Sequence, residues 1–198
     1  VPVVGASGAG KTTLIGLLLG WQRPSDGAVL VDGTPLNEAR LDSLRSDTAW
    51  IDPSVHIWNR SLLENVLYGS ETGMARELPG VVDTADLRDL IAAMPSGLQT
   101  RAGENGSLLS GGEGQRVRLA RALLRRDARL VIMDEPFRGL DRSQRKRLLA
   151  AARKWWVDAT VICITHDMDE TTHFDRVVVM DRGSIIEQGD PRTLINNA

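Results

Sequence analysis

The sequence predicts an α/β fold with a mostly parallel central sheet, a small antiparallel β corner and a helical subdomain. Three observations carry this expectation. A glycine-rich loop at residues 5–12 stands between the apolar Val3-Val4 and the apolar stretch 14–19, giving strand, loop and helix in succession. Residues 130–133 and 160–164 are apolar runs without alternation, the pattern of strands buried on both faces of a parallel sheet. Helix-like stretches at 115–126 and 142–156 alternate with them.

The remaining elements follow from local chemistry. Pro2 lacks the backbone donor a central strand needs, so the first strand is expected to be short. Asp26-Gly27 and Asp32-Gly33 bracket the short strand 28–31, which reads as the antiparallel corner. Thr48-Ala49-Trp50-Ile51 is the next strand and ends at Asp52-Pro53. From about 61 to 125 the chain reads as a helical subdomain, with a patch at 85–94 and breaks at Pro79-Gly80 and Pro95-Ser96-Gly97. Residues 177–180 and 184–187 flank Arg182-Gly183 as a closing hairpin.

Composition narrows the function. The chain has 198 residues, a quarter of them charged, and a net charge of −2, so it carries no general attraction for nucleic acid or anionic lipid. No apolar run is long enough to span a bilayer, so a membrane role must come through a protein partner. The single cysteine, Cys163, lies in an apolar run and reads as a core residue. Trp50, Trp155 and Trp156 read as packing residues, and the basic residues between Arg142 and Lys154 as a solvated helix face.

The chemistry sits in a few constellations. Gly5-Ala6-Ser7-Gly8-Ala9-Gly10-Lys11-Thr12 fits G-x-x-x-x-G-K-[ST] at every fixed position, and Thr13 continues into the helix. Such glycines let consecutive N–H groups converge on phosphate oxygens, the lysine adds a mobile charge and the threonine hydroxyl can reach magnesium, so a nucleoside triphosphate is implied. Asp134-Glu135 ends the apolar run 130–133, where open α/β sheets bind ligands; Asp134 suits a magnesium shell, and Glu135 suits a water for in-line attack. Leu109-Ser110-Gly111-Gly112-Glu113 has capping-box spacing before an amphipathic helix with Val117, Ala120 and Leu124 on one face. Its two glycines also suit close approach of a phosphate.

Taken in order, these motifs resemble the nucleotide-binding domain of an ABC transporter, with the P-loop NTPase fold, across essentially the whole of 1–198. The resemblance implies that residues 5–12 are the Walker A loop, 130–135 the Walker B strand and 109–113 the signature that contacts ATP held by a second such domain in a head-to-tail dimer. Glu113 stands where glutamine is commoner. Gly139-Leu140-Asp141 resembles the D-loop, and Thr165-His166 the switch histidine, whose ring is expected at the γ-phosphate. ATP and Mg2+ are the implied ligands, and a transmembrane domain the implied partner, with no nucleic acid. That partner would hold the chain at the cytoplasmic face of a membrane, as a peripheral subunit or domain. Segments 61–69 and 100–106 resemble exporter cassettes, whereas 166–170 is closer to importers, and Trp58 falls where the family meets its membrane partner. Two departures stand out. The family's Q-loop glutamine is expected at Asp52 or Pro53, and neither is glutamine. The adenine-stacking aromatic belongs upstream of Val1, so the chain is expected to be a piece lacking N-terminal strands, with weakened nucleotide affinity. The leading expectation is an ATP-hydrolysing cassette driving transport, with export as the expected direction. A catalytically weakened regulatory half of a heterodimer and a soluble ABC ATPase outside transport remain open.

Overall fold

A computed structural model describes residues 1–70 and 74–197. In chain order its regular elements begin β1 (Pro2–Val4), α1 (Lys11–Leu18), β2 (Leu30–Val31), β3 (Thr34–Pro35), α2 (Glu38–Ser46) and β4 (Thr48–Ile51). Then come α3 (Leu62–Val66), α4 (Leu78–Thr84), α5 (Arg88–Ala93), α6 (Gly111–Leu123), β5 (Leu130–Asp134) and α7 (Arg142–Trp155). The chain closes with β6 (Thr160–Ile164), α8 (Met168–Thr171), β7 (Val177–Asp181), β8 (Ser184–Gly189) and α9 (Pro191–Asn197). Contacts divide the chain into two compact units.

The first unit comprises Val1–Thr48, Ala128–Asp134 and Thr160–Ala198. Its strands are ordered β5-β6-β1-β7-β8, parallel except for the last pair. β1 is indeed short. Pro2 sits at its first residue, where a missing donor costs least, and the strand pairs on both sides. β5 and β6 lack alternation because both faces are covered: Val131, Ile132, Met133, Cys163 and Ile164 are all buried. The two hairpins turn through Asp32-Gly33 and Arg182-Gly183, each with both residues at positive φ, the primed-turn geometry that matches strand twist.

The second unit comprises Ala49–Asp127 and Glu135–Ala159. Ser61 caps α3 and Ser110 caps α6, each through a closed capping box with Glu64 and Glu113. The two hydrogen bonds that Glu64 accepts from Ser61 hold its carboxyl below the ordinary carboxylate range. α7 buries Leu148, Leu149 and Ala152 and turns its arginines and lysines outward, so each leucine contributes about 2 kcal/mol of burial while the basic face stays solvated. Both tryptophans at its end pack as expected, and their indole N–H groups find partners: Trp155 donates to the Leu123 carbonyl at 2.9 Å and Trp156 to the Arg125 carbonyl at 2.9 Å.

One local expectation is corrected. Pro79-Gly80 does not break a helix but lies in the first turn of α4, where proline's missing N–H is one of the unpaired donors in any case. Gly80 is there because a Cβ would meet the Trp155 ring at 3.1 Å. The break falls instead at Asp86, at φ 55, between α4 and α5.

Burial, and secondarily the charge of Glu170, pushes the Cys163 thiol far above its ordinary value of 9.0. A thiol reagent at about pH 8 is therefore expected to label Cys163 only after unfolding, which mass spectrometry with and without guanidinium checks. Above pH 9.0 the unfolded chain loses this proton while the folded chain keeps it, so this group's contribution to stability falls as pH rises.

Candidate functional site

The phosphate loop in the first unit is built backbone against backbone. Gly5 passes so close to β7 that a Cβ would lie 2.2 Å from the Met180 carbonyl oxygen, and the Ala9 carbonyl accepts the Gly183 N–H at 3.0 Å. Gly8 and Gly10 take left-handed φ values of 80 and 97, and Gly10 opens α1 without any side-chain cap. The first N–H groups of α1, those of Lys11, Thr12 and Thr13, have no partner one turn back and form the positive end of the helix. Lys11 is buried, and its Nζ donates to the carbonyls of Gly5 at 2.8 Å and Ala6 at 2.9 Å. Two of its three donors thus hold the ammonium over the loop, and the third can meet an anion. Ala6, Ser7 and Gly8 are exposed along the rim.

Sheet register brings the other first-unit residues to the same end. Val3 pairs with Ile164, and Ile164 with Asp134, so Asp134 ends its strand about 10 Å, two strand spacings, from the strand feeding the loop. Thr165 and the exposed His166 leave β6 between them, and His166 shares with Gly5 the wall of a cavity of about 660 Å³.

The second unit assembles the rest. Ser110 Oγ accepts the Glu113 N–H at 3.3 Å while Glu113 Oε2 accepts the Ser110 N–H at 2.7 Å, so glutamate serves the cap directly. Gly111 faces open space, with no heavy atom within 4 Å of where a Cβ would stand. Gly112 does not: a Cβ there would lie 2.6 Å from Leu140 Cδ2, so its smallness serves packing against Gly139-Leu140. The signature-like turn and the D-loop-like turn are therefore one packed assembly, and Asp141 caps α7 by accepting the Gln144 N–H at 2.9 Å. Glu135 adopts φ 41, a left-handed backbone rare for a side-chain-bearing residue and concentrated at functional sites, and its carboxylate lies 3.9 Å from Arg138. Asp52 accepts the Ser54 N–H at 2.6 Å, closing a turn through Pro53, and Arg118 Nε donates to Val55 O at 2.7 Å.

The family model described as ABC transporter matches residues 1–138. This chain belongs to the ABC transporter family. It is 40% identical over 198 residues to an ATP-dependent lipid A-core flippase of Alkalilimnicola ehrlichii, covering 100% of this chain and 33% of that protein. To the heterocyst differentiation ATP-binding protein HepA of Nostoc sp. it is 38% identical over 193 residues, covering 98% and 32%. A bacterial Atm1-family ABC exporter solved with ATP bound superposes with a TM-score of 0.92 at 31% identity, over 99% of this chain and 34% of that one. The chain spans about a third of the length of the curated relatives it matches. Family membership implies ATP as the ligand, and no helix among the described residues is long and apolar enough to cross a membrane.

Thr12 and Asp134 supply hard oxygen donors of the kind that magnesium takes, and no cluster of three or more His, Cys, Asp or Glu that could hold a metal ion occurs among the described residues.

The exporter-like segments 61–69 and 100–106, separate in sequence, are joined by the Leu62 N–H, which donates to Thr100 O at 2.9 Å, and just before the first segment Arg60 O accepts the Ala102 N–H at 2.9 Å. Their neighbour Trp58 is 39% exposed and stacks edge-on with His56 and obliquely with Tyr68. The residue that fastens this surface is Asn65, which motif reading passed over. It is fully buried; its Oδ1 accepts the Trp58 N–H at 2.8 Å and its Nδ2 donates to the carbonyls of Trp58, Arg60 and Ser61. An amide in an otherwise apolar helix face was the available signal. Asn65→Ala is expected to cost about 2 kcal/mol, measured by guanidinium unfolding, because the Trp58 N–H loses its acceptor while the Trp58, Arg60 and Ser61 carbonyls each lose one of two donors.

Proposed function

We propose that this chain is the ATP-binding and ATP-hydrolysing domain of a membrane exporter, working in a head-to-tail pair with a second such domain. The observation that carries this reading is the phosphate loop, in which left-handed glycines and a buried, doubly anchored Lys11 present N–H groups and positive charge together. Lys11 and the amides of residues 8–13 bind the β- and γ-phosphoryl oxygens. Thr12 and Asp134 hold magnesium, which when bound neutralises charge on those oxygens. Glu135 orients and deprotonates the attacking water, and His166 contacts the γ-phosphate from the end of β6. Ser110, Gly111 and the α6 N-terminus serve the triphosphate held by the partner domain, with Asp141 beside them. The surface around Trp58 and the paired segments 61–69 and 100–106 meets the transmembrane domain. That partner brings the chain to the cytoplasmic side of the membrane. Substrate choice belongs to the membrane part, so the relatives' lipid A-core specificity does not transfer through this region.

Glu135→Gln in the full-length transporter is expected to keep ATP affinity and lower turnover by about a thousandfold, since general-base catalysis is worth 10²–10⁴. Nucleotide binding and phosphate release measured side by side decide it; unchanged release removes Glu135 from this role.

Asp52 favours a second reading, a catalytically weakened half of a heterodimer. Its Oδ1 accepts the Ser54 N–H and closes a local turn, and aspartate is one methylene shorter than the glutamine expected at this position. In that case Asp52→Gln raises ATP turnover of the assembled transporter, by about tenfold if water positioning is the deficit; a fully competent cassette shows no gain.

A further inference from the structure

Glu170 is a buried acid that none of the chemistry above uses. It is 4% exposed, and its Oε2 accepts a short 2.6 Å hydrogen bond from Thr165 Oγ1, itself 5% exposed. The same hydroxyl oxygen accepts the Asp167 N–H at 3.0 Å, and the Thr165 N–H donates to the Val3 carbonyl at 3.4 Å. His166 therefore lies between two residues whose backbones are tied down: one to β1, the strand that becomes the phosphate loop, the other to the Thr165 side chain. Helix capping does not explain the acid, because Asp167 already caps α8 by accepting the Asp169 N–H at 3.0 Å. A carboxylate removed from water is costly, so one that only filled space would be better replaced by an apolar side chain.

We propose that Glu170, acting through Thr165, is a positioning residue that holds His166 in register with the phosphate loop. The acid fixes the Thr165 hydroxyl in one rotamer, the hydroxyl fixes the Asp167 amide, and the imidazole is left exposed on a backbone that cannot swing away from β1. The inference rests on the reading of His166 as a γ-phosphate contact. Its own content is the chain of hydrogen bonds from Glu170 through the Thr165 hydroxyl to the Asp167 N–H, which ties together the residues on either side of His166.

The test is steady-state ATP turnover of the full-length transporter, with melting temperature measured in parallel. Glu170→Leu and Thr165→Val, which delete acceptor and donor, are expected to lower kcat about tenfold or more with KM for ATP changed less than about twofold. Glu170→Gln and Thr165→Ser, which keep a hydrogen-bonding group at each place, retain most of the turnover. In a His166→Ala background the Leu and Val changes add nothing, because there is no ring left to position. Wild-type kcat in Glu170→Leu and Thr165→Val overturns the proposal, as does a full further loss in the His166→Ala background or a parallel fall in kcat, KM and melting temperature. Failure of the underlying reading shows separately, as wild-type turnover of His166→Ala alone.

Discussion

Backbone laid directly on backbone is the constraint from which the nucleotide end of this molecule follows. The loop after β1 passes within a Cβ's width of the β7 terminus at Gly5 and is pinned again where the β7–β8 turn donates from Gly183 to Ala9. No side chain intervenes, so the loop cannot relax outward without breaking the sheet's own end. The pinning fixes where α1 begins, and with it the direction of the uncapped amides of its first turn. Lys11 lies buried over the Gly5 and Ala6 carbonyls, where two of its three donors are used and the third is left for an anion. An anion site of this kind is preorganised: the cost of gathering like dipoles is met during folding, not during binding.

Much of this was legible in the sequence because the residue types it needs have few substitutes. Left-handed turns demand glycine, so the loop and both hairpins announced themselves, and strands covered on two faces must be apolar throughout, so β5 and β6 did too. What stayed hidden depends on partners remote in sequence. Pro79-Gly80 reads as a break until Trp155, far along the chain, is seen occupying the space above Gly80. Gly112 reads as a phosphate contact until Leu140 is seen against it. Asn65 and the Thr165–Glu170 pair are polar residues whose value lies wholly in being buried, and burial of a polar group leaves no periodicity to detect.

The signature-like segment shows that a structural and a functional reading of one motif need not compete. A capping box uses Ser110 as an acceptor and leaves its hydroxyl proton to donate, and it uses the Glu113 carboxylate on the Ser110 amide. The outward amides of Gly111 and its neighbours keep their direction because the cap holds the first turn rigid. Glutamine at position 113 could make the same bond to the Ser110 N–H, so glutamate there preserves the cap while adding a negative charge at the helix's positive end, where it is stabilising.

Asp52 has the opposite character, because there the residue type changes what the chain can do. Aspartate is short enough to accept an N–H from two residues on and close a turn, as it does with Ser54, whereas glutamine's longer side chain favours reaching away from the backbone. That turn is not isolated. Arg118 binds the Val55 carbonyl, Arg121 binds the carbonyls of His56 and Asn65, and both arginines belong to α6, whose N-terminus is Ser110. Burial holds both guanidiniums below their ordinary pKa, and hydrogen bonds from a guanidinium to a carbonyl oxygen are charge-assisted. The loop bearing Trp58 is thus fastened at two successive turns to the same helix that Ser110 caps. Asp52 thus closes a turn whose next two residues are fastened to α6, so what the residue type sets at this position is the local stiffness of the loop that carries Trp58.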